Sequence, residues 1–144
     1  MTMAGKQPQP KQPGPAPAKT FTVEGANATL PLVKVIVKDV MGKWKELGHF
    51  RAELADAEVH GLSDRRKKHI REEVERIEHE IEGCVREIAD LGASIKDFEI
   101  GLVDFPMKQG NRTVLLCWRS DEPRITHWHD FEAGFAGRRP IEEL

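Results

Sequence analysis

The stretch IREEVERIEHEIEGCVREIADL, Ile70 to Leu91, decides the fold. Its apolar positions (Ile70, Val74, Ile77, Ile81, Cys84, Ile88 and Leu91) advance by alternating steps of four and three residues. Such a 3.5-residue repeat is the seam of a helix that lies lengthwise on another with a slight supercoil. The partner lies upstream, where Val33, Val37, Val40, Trp44, Leu47 and Leu54 keep the same steps, with Arg51 in the seventh slot. Between the two runs, His60-Gly61-Leu62-Ser63-Asp64 supplies a glycine that stops one helix and a serine that caps the next. Gly92 fits a left-handed stop after Leu91, and Pro31 suits the first turn of the first helix, behind a short lead-in turn around Glu24 to Ala28. The reading is an antiparallel, coiled-coil-like hairpin with arms of about 25 residues, roughly 35–40 Å each. Ile36 and Phe50 widen the apolar stripe of the first arm beyond one seam. A bare hairpin cannot cover that stripe, so the rest of the chain, a second copy, or both must do so. A homodimer through the hairpin is one expectation.

After Gly92 the period changes from helical to alternating. Leu102 to Met107, Arg112 to Trp118 and Arg124 to His129 read as strands, with Ser94 to Phe98 as a short fourth. Gln109-Gly110-Asn111 and Asp121-Glu122-Pro123 supply the turns. The fold class is therefore α+β: a long two-helix hairpin followed by a small three- or four-stranded antiparallel sheet. One such domain spans residues 20–144. Residues 1–19 hold five of the nine prolines, three lysines and no large apolar residue beyond two methionines, and are expected to be a disordered tail.

Composition narrows the function. The formal charge is −2, and the lysines of the tail conceal a body of about −5. An acidic body argues against nucleic-acid binding, which draws most of its affinity from a basic face. Arg65-Arg66-Lys67-Lys68, with His69 and Arg71, is a local basic patch that reads as a solvated helix end tethered to nearby acids. Glu72, Glu75, Glu78, His79 and Glu82 evoke carboxylate-bridged di-iron bundles, but the seam places His79 on the outer face. No secretory apolar run and no membrane-length apolar run occurs. The two cysteines, Cys84 on the seam and Cys117 in a strand, read as buried thiols, and the expected location is the cytoplasm.

The chemistry-bearing residues crowd into the sheet. Alternation puts His127 and His129 on one face of a strand, a spacing that can chelate a divalent zinc, iron or manganese ion with a third ligand from Asp104, Cys117 or Glu132. The plain alternative is a histidine whose ring is satisfied by a carbonyl or a carboxylate. The loop Gly134-Phe135-Ala136-Gly137-Arg138 could hold an oxyanion on freed amides beside a guanidinium. It could equally be a tight turn with Phe135 in the core and Arg138 paired to an acid. Trp118, Arg119 and Trp128 are candidates to line a shallow pocket or to cement the core. The candidate ligand-binding residues are thus Asp104, Trp118, Arg119, Glu122, Gly134, Gly137 and Arg138, and the candidate metal ligands are His127, His129 and Asp104.

The run TFTVE (Thr20 to Glu24), Ala26-Asn27, LPLV (Leu30 to Val33), the hairpin, then GLVDFP (Gly101 to Pro106), LCWR (Leu116 to Arg119), WHD (Trp128 to Asp130) and GFAGR (Gly134 to Arg138) together resemble domain-of-unknown-function family 2203 of prokaryotes. The resemblance covers Thr20 to about Ile141 and implies no activity, substrate or catalytic residue. It implies that Asp104, Phe105, Pro106, Trp118, Glu122, Trp128, His129, Gly134, Phe135, Gly137 and Arg138 belong to the family pattern. If His127 is peculiar to this chain, the two-histidine chelate is not the family's chemistry, and His129 instead bonds to Asp104 or Glu122. Gly25 stands where the pattern prefers an acid. Two functions follow as expectations. One is a soluble bacterial interaction or scaffold module without chemistry, with a protein partner. The other is a small metal-dependent or oxyanion-binding enzyme or ligand-binding protein, centred on the C-terminal sheet.

Overall fold

The computed structural model describes residues 19–144, so the proline-rich tail, apart from Lys19, lies outside the described residues. The hairpin is present, with α1 at Val23–His60 and α2 at Asp64–Leu91. Its interface is the seam read above: Val33, Val37, Val40 and Leu47 bury against Ile77, Ile81, Cys84 and Ile88. Arg51, the polar member of the first seam, forms an ion pair with Glu78 across the hairpin. Ser63 caps α2 by accepting from the Arg66 amide, and Gly92 ends it with φ 100° and ψ 5°. Arg66 of the basic patch is tethered to Glu53 at 2.8 Å.

The first helix starts eight residues before the proline expected to open it. Thr22 is the cap, and its hydroxyl accepts from the Gly25 amide at 2.9 Å, while Pro31 sits inside the helix. Proline in a helix interior typically costs about 3 kcal/mol. Burial of Ala26, Leu30 and Val33 against the rest of the core offsets it. The first arm is consequently 38 residues long and the second 28, against the 25 expected of each.

The sheet has five strands in meander order, all antiparallel: β1 at Ser94–Asp97, β2 at Leu102–Gln109, β3 at Arg112–Arg119, β4 at His127–His129 and β5 at Arg139–Pro140. Gly110, with φ 64°, opens the two-residue turn between β2 and β3. The expected strand from Arg124 is shortened to three residues, because two side chains take the ladder's amides. The Arg119 amide donates to the Glu122 carboxylate at 2.7 Å, and the Ile125 amide donates to the side-chain oxygen of Asn27 on α1 at 2.8 Å. Beyond the end of β1, the Phe21 amide donates to the Pro106 carbonyl at 2.7 Å.

Alternation gives the sheet two different faces. Val103, Phe105, Val114, Leu116, Trp118 and Trp128 face the helices and join their core. The opposite face carries Leu102, Asp104, Leu115, Cys117 and His129, all buried as well. The segment after β4 folds back over that second face, and the candidate site lies beneath it. No helix among the described residues is long and apolar enough to cross a membrane.

Candidate functional site

Strand register builds the site. Asp104 on β2 stands opposite Cys117 on β3, and Leu115, two residues before Cys117, stands opposite His129 on β4. Cross-strand and diagonal neighbours on one face are close enough for their side chains to meet. The ligand atoms of Asp104, Cys117 and His129 accordingly all lie within 4.8 Å of one another. These residues expose only 4%, 1% and 2% of their surface. Lys96 of β1, 8% exposed, adds an ammonium group to the same face.

Above these side chains is a cavity of about 430 Å³. Lys96, Asp104, Cys117 and His129 contribute to its lining, with Ile100, Leu102, Phe131 and Phe135 supplying apolar wall and Gly134 and Asp97 completing it. The Asp97 carboxylate is engaged in the turn after β1, where it accepts from the Glu99 and Ile100 amides at 2.8 and 3.0 Å. A small opening lined mainly by apolar groups, with a few convergent polar ones, has the usual make-up of a small-molecule site.

The protonation states follow from the partners. The Asp130 carbonyl, 2.7 Å from His129 Nδ1, can only accept, so Nδ1 carries a hydrogen. Nε2 lies 3.1 Å from Asp104 Oδ1. Burial pulls the imidazole pKa down, but the Asp104 carboxylate, Cys117 and the Asp130 carbonyl outweigh it and raise the pKa to about 10. His129 is therefore an imidazolium paired with Asp104 at neutral pH. Burial pushes the Cys117 thiol up, with the neighbouring His129 acting in the opposite direction, so the sulfur keeps its proton. Burial lowers the Lys96 pKa, and Asp104 opposes that at longer range. One imidazole nitrogen is held by the backbone, and the other faces both the acid and the thiol.

A second cluster braces the first. The Glu122 carboxylate receives Arg138 Nη2 at 2.6 Å and the Arg119 amide at 2.7 Å. Arg138 Nη2 also donates to the Cys117 carbonyl at 3.1 Å, and its Nε is buried without a partner. The Arg138 guanidinium lies 4.9 Å, and that of Arg119 5.7 Å, from the centre of the Phe135 ring. Glu122 thereby holds the loop that sets one wall of the cavity.

The structure brings Asp104 and His129 together and joins them with Cys117, while Glu122, Arg119 and Arg138 form the brace and Gly134 lines the cavity. His127 is not in the group. Its Nδ1 is 2.8 Å from the Thr126 hydroxyl and 3.9 Å from Glu122 Oε2. Glu132 is exposed. Trp118 lies on the helix-facing side, its indole donating to the Glu122 carbonyl at 2.9 Å. Gly137 does not present a free amide, since it donates to the Gly134 carbonyl at 3.0 Å, and the Arg138 amide donates to the Phe135 carbonyl at 3.2 Å. The loop is thus a closed 3₁₀ turn rather than an anion nest. Lys96 and Phe131 were not anticipated. Alternation along Ser94-Ile95-Lys96 would have placed Lys96 on the face of Asp104 once β1 was paired with β2.

No curated protein and no solved structure matches the chain. The profile of DUF2203, described as an uncharacterized conserved protein, matches residues 19–141 and so takes in both helices, the sheet and every residue of the site. The chain belongs to the DUF2203 family.

Proposed function

We propose that the protein binds a small anionic ligand, one bearing a carboxylate or a phosphate group, in the cavity on the outer face of the sheet. The observation that carries this reading is Lys96. Its side chain is 8% exposed and lines the cavity, and its ammonium, which keeps contact with the cavity's solvent, has no hydrogen bond or ion pair among the described residues. An ammonium whose surroundings are largely protein is less well hydrated than one in open water, and an anion entering from the cavity would supply the missing partner. Phe131 and Phe135 offer apolar surface to the remainder of such a ligand. Asp104 is held by His129 at 3.1 Å and acts on Lys96 only at longer range, so Lys96 has no direct acidic partner among the described residues. The two free, buried cysteines suit a reducing compartment, and we place the protein in the cytoplasm.

The test is a thermal-shift series on the full chain with inorganic phosphate, sulfate, acetate and malonate at constant ionic strength. A saturable rise in Tm with at least one anion, absent in Lys96→Met, supports the reading. Equal responses of the two proteins to every anion would reject it.

A second reading, an interaction module that self-associates through the hairpin, is favoured by the exposed apolar residues Leu32, Val35 and Val59 on α1. Sedimentation equilibrium of the full chain separates the two: a monomer that still responds to anions needs only the cavity.

A further inference from the structure

We propose that Asp104, Cys117 and His129 are a three-residue zinc site at the floor of this cavity, with the fourth coordination position open to the anionic ligand. This inference rests on reading the cavity as the ligand site, and it names the cofactor of that site. The geometry carries it. Carboxylate, thiol and imidazole from three adjacent strands place one donor atom each within 4.8 Å of the others. Donors around a tetrahedral zinc lie roughly 3.3–3.6 Å apart, given bond lengths near 2.0–2.3 Å. Changes of about 1 Å in side-chain position therefore suffice, on a sheet that otherwise stays fixed.

The surroundings of His129 match the requirement for a ligand. A metal-binding imidazole is usually held through its other nitrogen, and here Nδ1 donates to the Asp130 carbonyl and so directs Nε2 toward Asp104 and Cys117. Hard oxygen-seeking cations such as magnesium are disfavoured by the sulfur, whereas zinc accepts all three donor types. Three protein ligands and an open position are the arrangement of reactive rather than structural zinc sites.

Binding balances in charge and protons. Zn²⁺ replaces the proton on Cys117 and the Nε2 proton of His129, so two protons leave as the ion enters. The ion then sits among a carboxylate, a thiolate and a neutral imidazole and is electrically neutral with them. Lys96 remains as an unmatched positive charge on the cavity side. An anion bridging the metal and Lys96 completes both.

The experiment is titration of the full, metal-free chain with Co²⁺, a spectroscopic substitute for zinc, followed by displacement with Zn²⁺. Wild type and Cys84→Ser should develop a one-to-one thiolate-to-cobalt charge-transfer band, bleached by one equivalent of zinc, and Cys117→Ser should lose it. The wild-type spectrum alone reports sulfur ligation, so the test survives failure of any variant to fold. Absence of the band in wild type, or its persistence in a folded Cys117→Ser protein, overturns the proposal. Failure of the anion reading has a different signature: the cobalt band forms, but phosphate, acetate and malonate change neither the spectrum nor Tm. Anion shifts that depend on Lys96 without any cobalt binding would instead retain the cavity and remove the metal.

Discussion

Glu122→Ala tests how the candidate site is braced. Glu122 and Arg138 keep side-chain exposures of only 13% and 11%, so their pair is largely shielded from water. Removing the acid leaves the guanidinium with the Cys117 carbonyl as its remaining hydrogen-bond acceptor and frees the Arg119 amide. Deleting one partner of a pair so well shielded costs about 3–5 kcal/mol, the upper figure belonging to full burial and most of it coming from the stranded charge. For a domain of this size each kcal/mol corresponds to about 4 °C in Tm, so the expected fall is about 12–20 °C. Glu122→Gln, which keeps an acceptor but no charge, should lose about half as much. The double variant Glu122→Leu with Arg138→Met removes both charges, and it should be more stable than Glu122→Ala alone. Thermal unfolding followed by circular dichroism, with a urea series for the free energies, reads all three. A Glu122→Ala protein within about 1 kcal/mol of wild type would refute the reasoning, since such a value belongs to a solvent-screened surface pair.

Other consequences can be measured in parallel. The folded-state pKa of His129 is about 10, above the ordinary 6.5, so its contribution is complete below pH 6.5 and is lost as pH rises toward 10. The unfolding free energy of metal-free protein, read from urea titrations, should fall between pH 6.5 and 8.5 by no more than about 1.4 kcal/mol per pH unit, and His129→Gln should flatten that slope. An unchanged slope in the variant would remove the charged pair. Gly101 has φ 73°, and a Cβ there would come within 2.8 Å of Met41 Sδ and Ser120 Cβ, so Gly101→Ala should cost at least about 2 kcal/mol in a urea titration. Lys96→Met should leave the ligand-free protein as stable as wild type or more so, by about 1 kcal/mol at most, because it removes a partly desolvated ammonium that has no hydrogen-bond or ion-pair partner among the described residues. Destabilisation there would mean that Lys96 has a structural partner.

The helical half was legible because its signal is periodic and local. Ile70, Ile77, Ile81, Cys84 and Ile88 occupy the seam at the positions their spacing assigns. Pro31 misled because proline suits a first turn and is only tolerated within a helix; the compensating burial of Ala26 and Leu30 is tertiary. The contraction of β4 depends on Asn27, 98 residues away from Ile125, and no local pattern announces such a bond. Strand β5 has two residues, too few for any period. In the site, Asp104, His129, Glu122 and Arg138 stood out as costly residues in a small sheet. Which of them meet is set by the register of three strands, and a one-residue slip would turn Cys117 or His129 to the other face. Cys117 therefore remained one of three possible third partners until the strands were paired, and Lys96 passed unnoticed on an edge strand.

The most direct test of the central claim is a crystal structure of the full chain soaked with the anion that raises Tm most. That anion should lie inside the cavity, within hydrogen-bond distance of Lys96 Nζ and between Phe131 and Phe135. A cavity empty at concentrations that saturate the thermal shift, or the anion bound elsewhere, would contradict it.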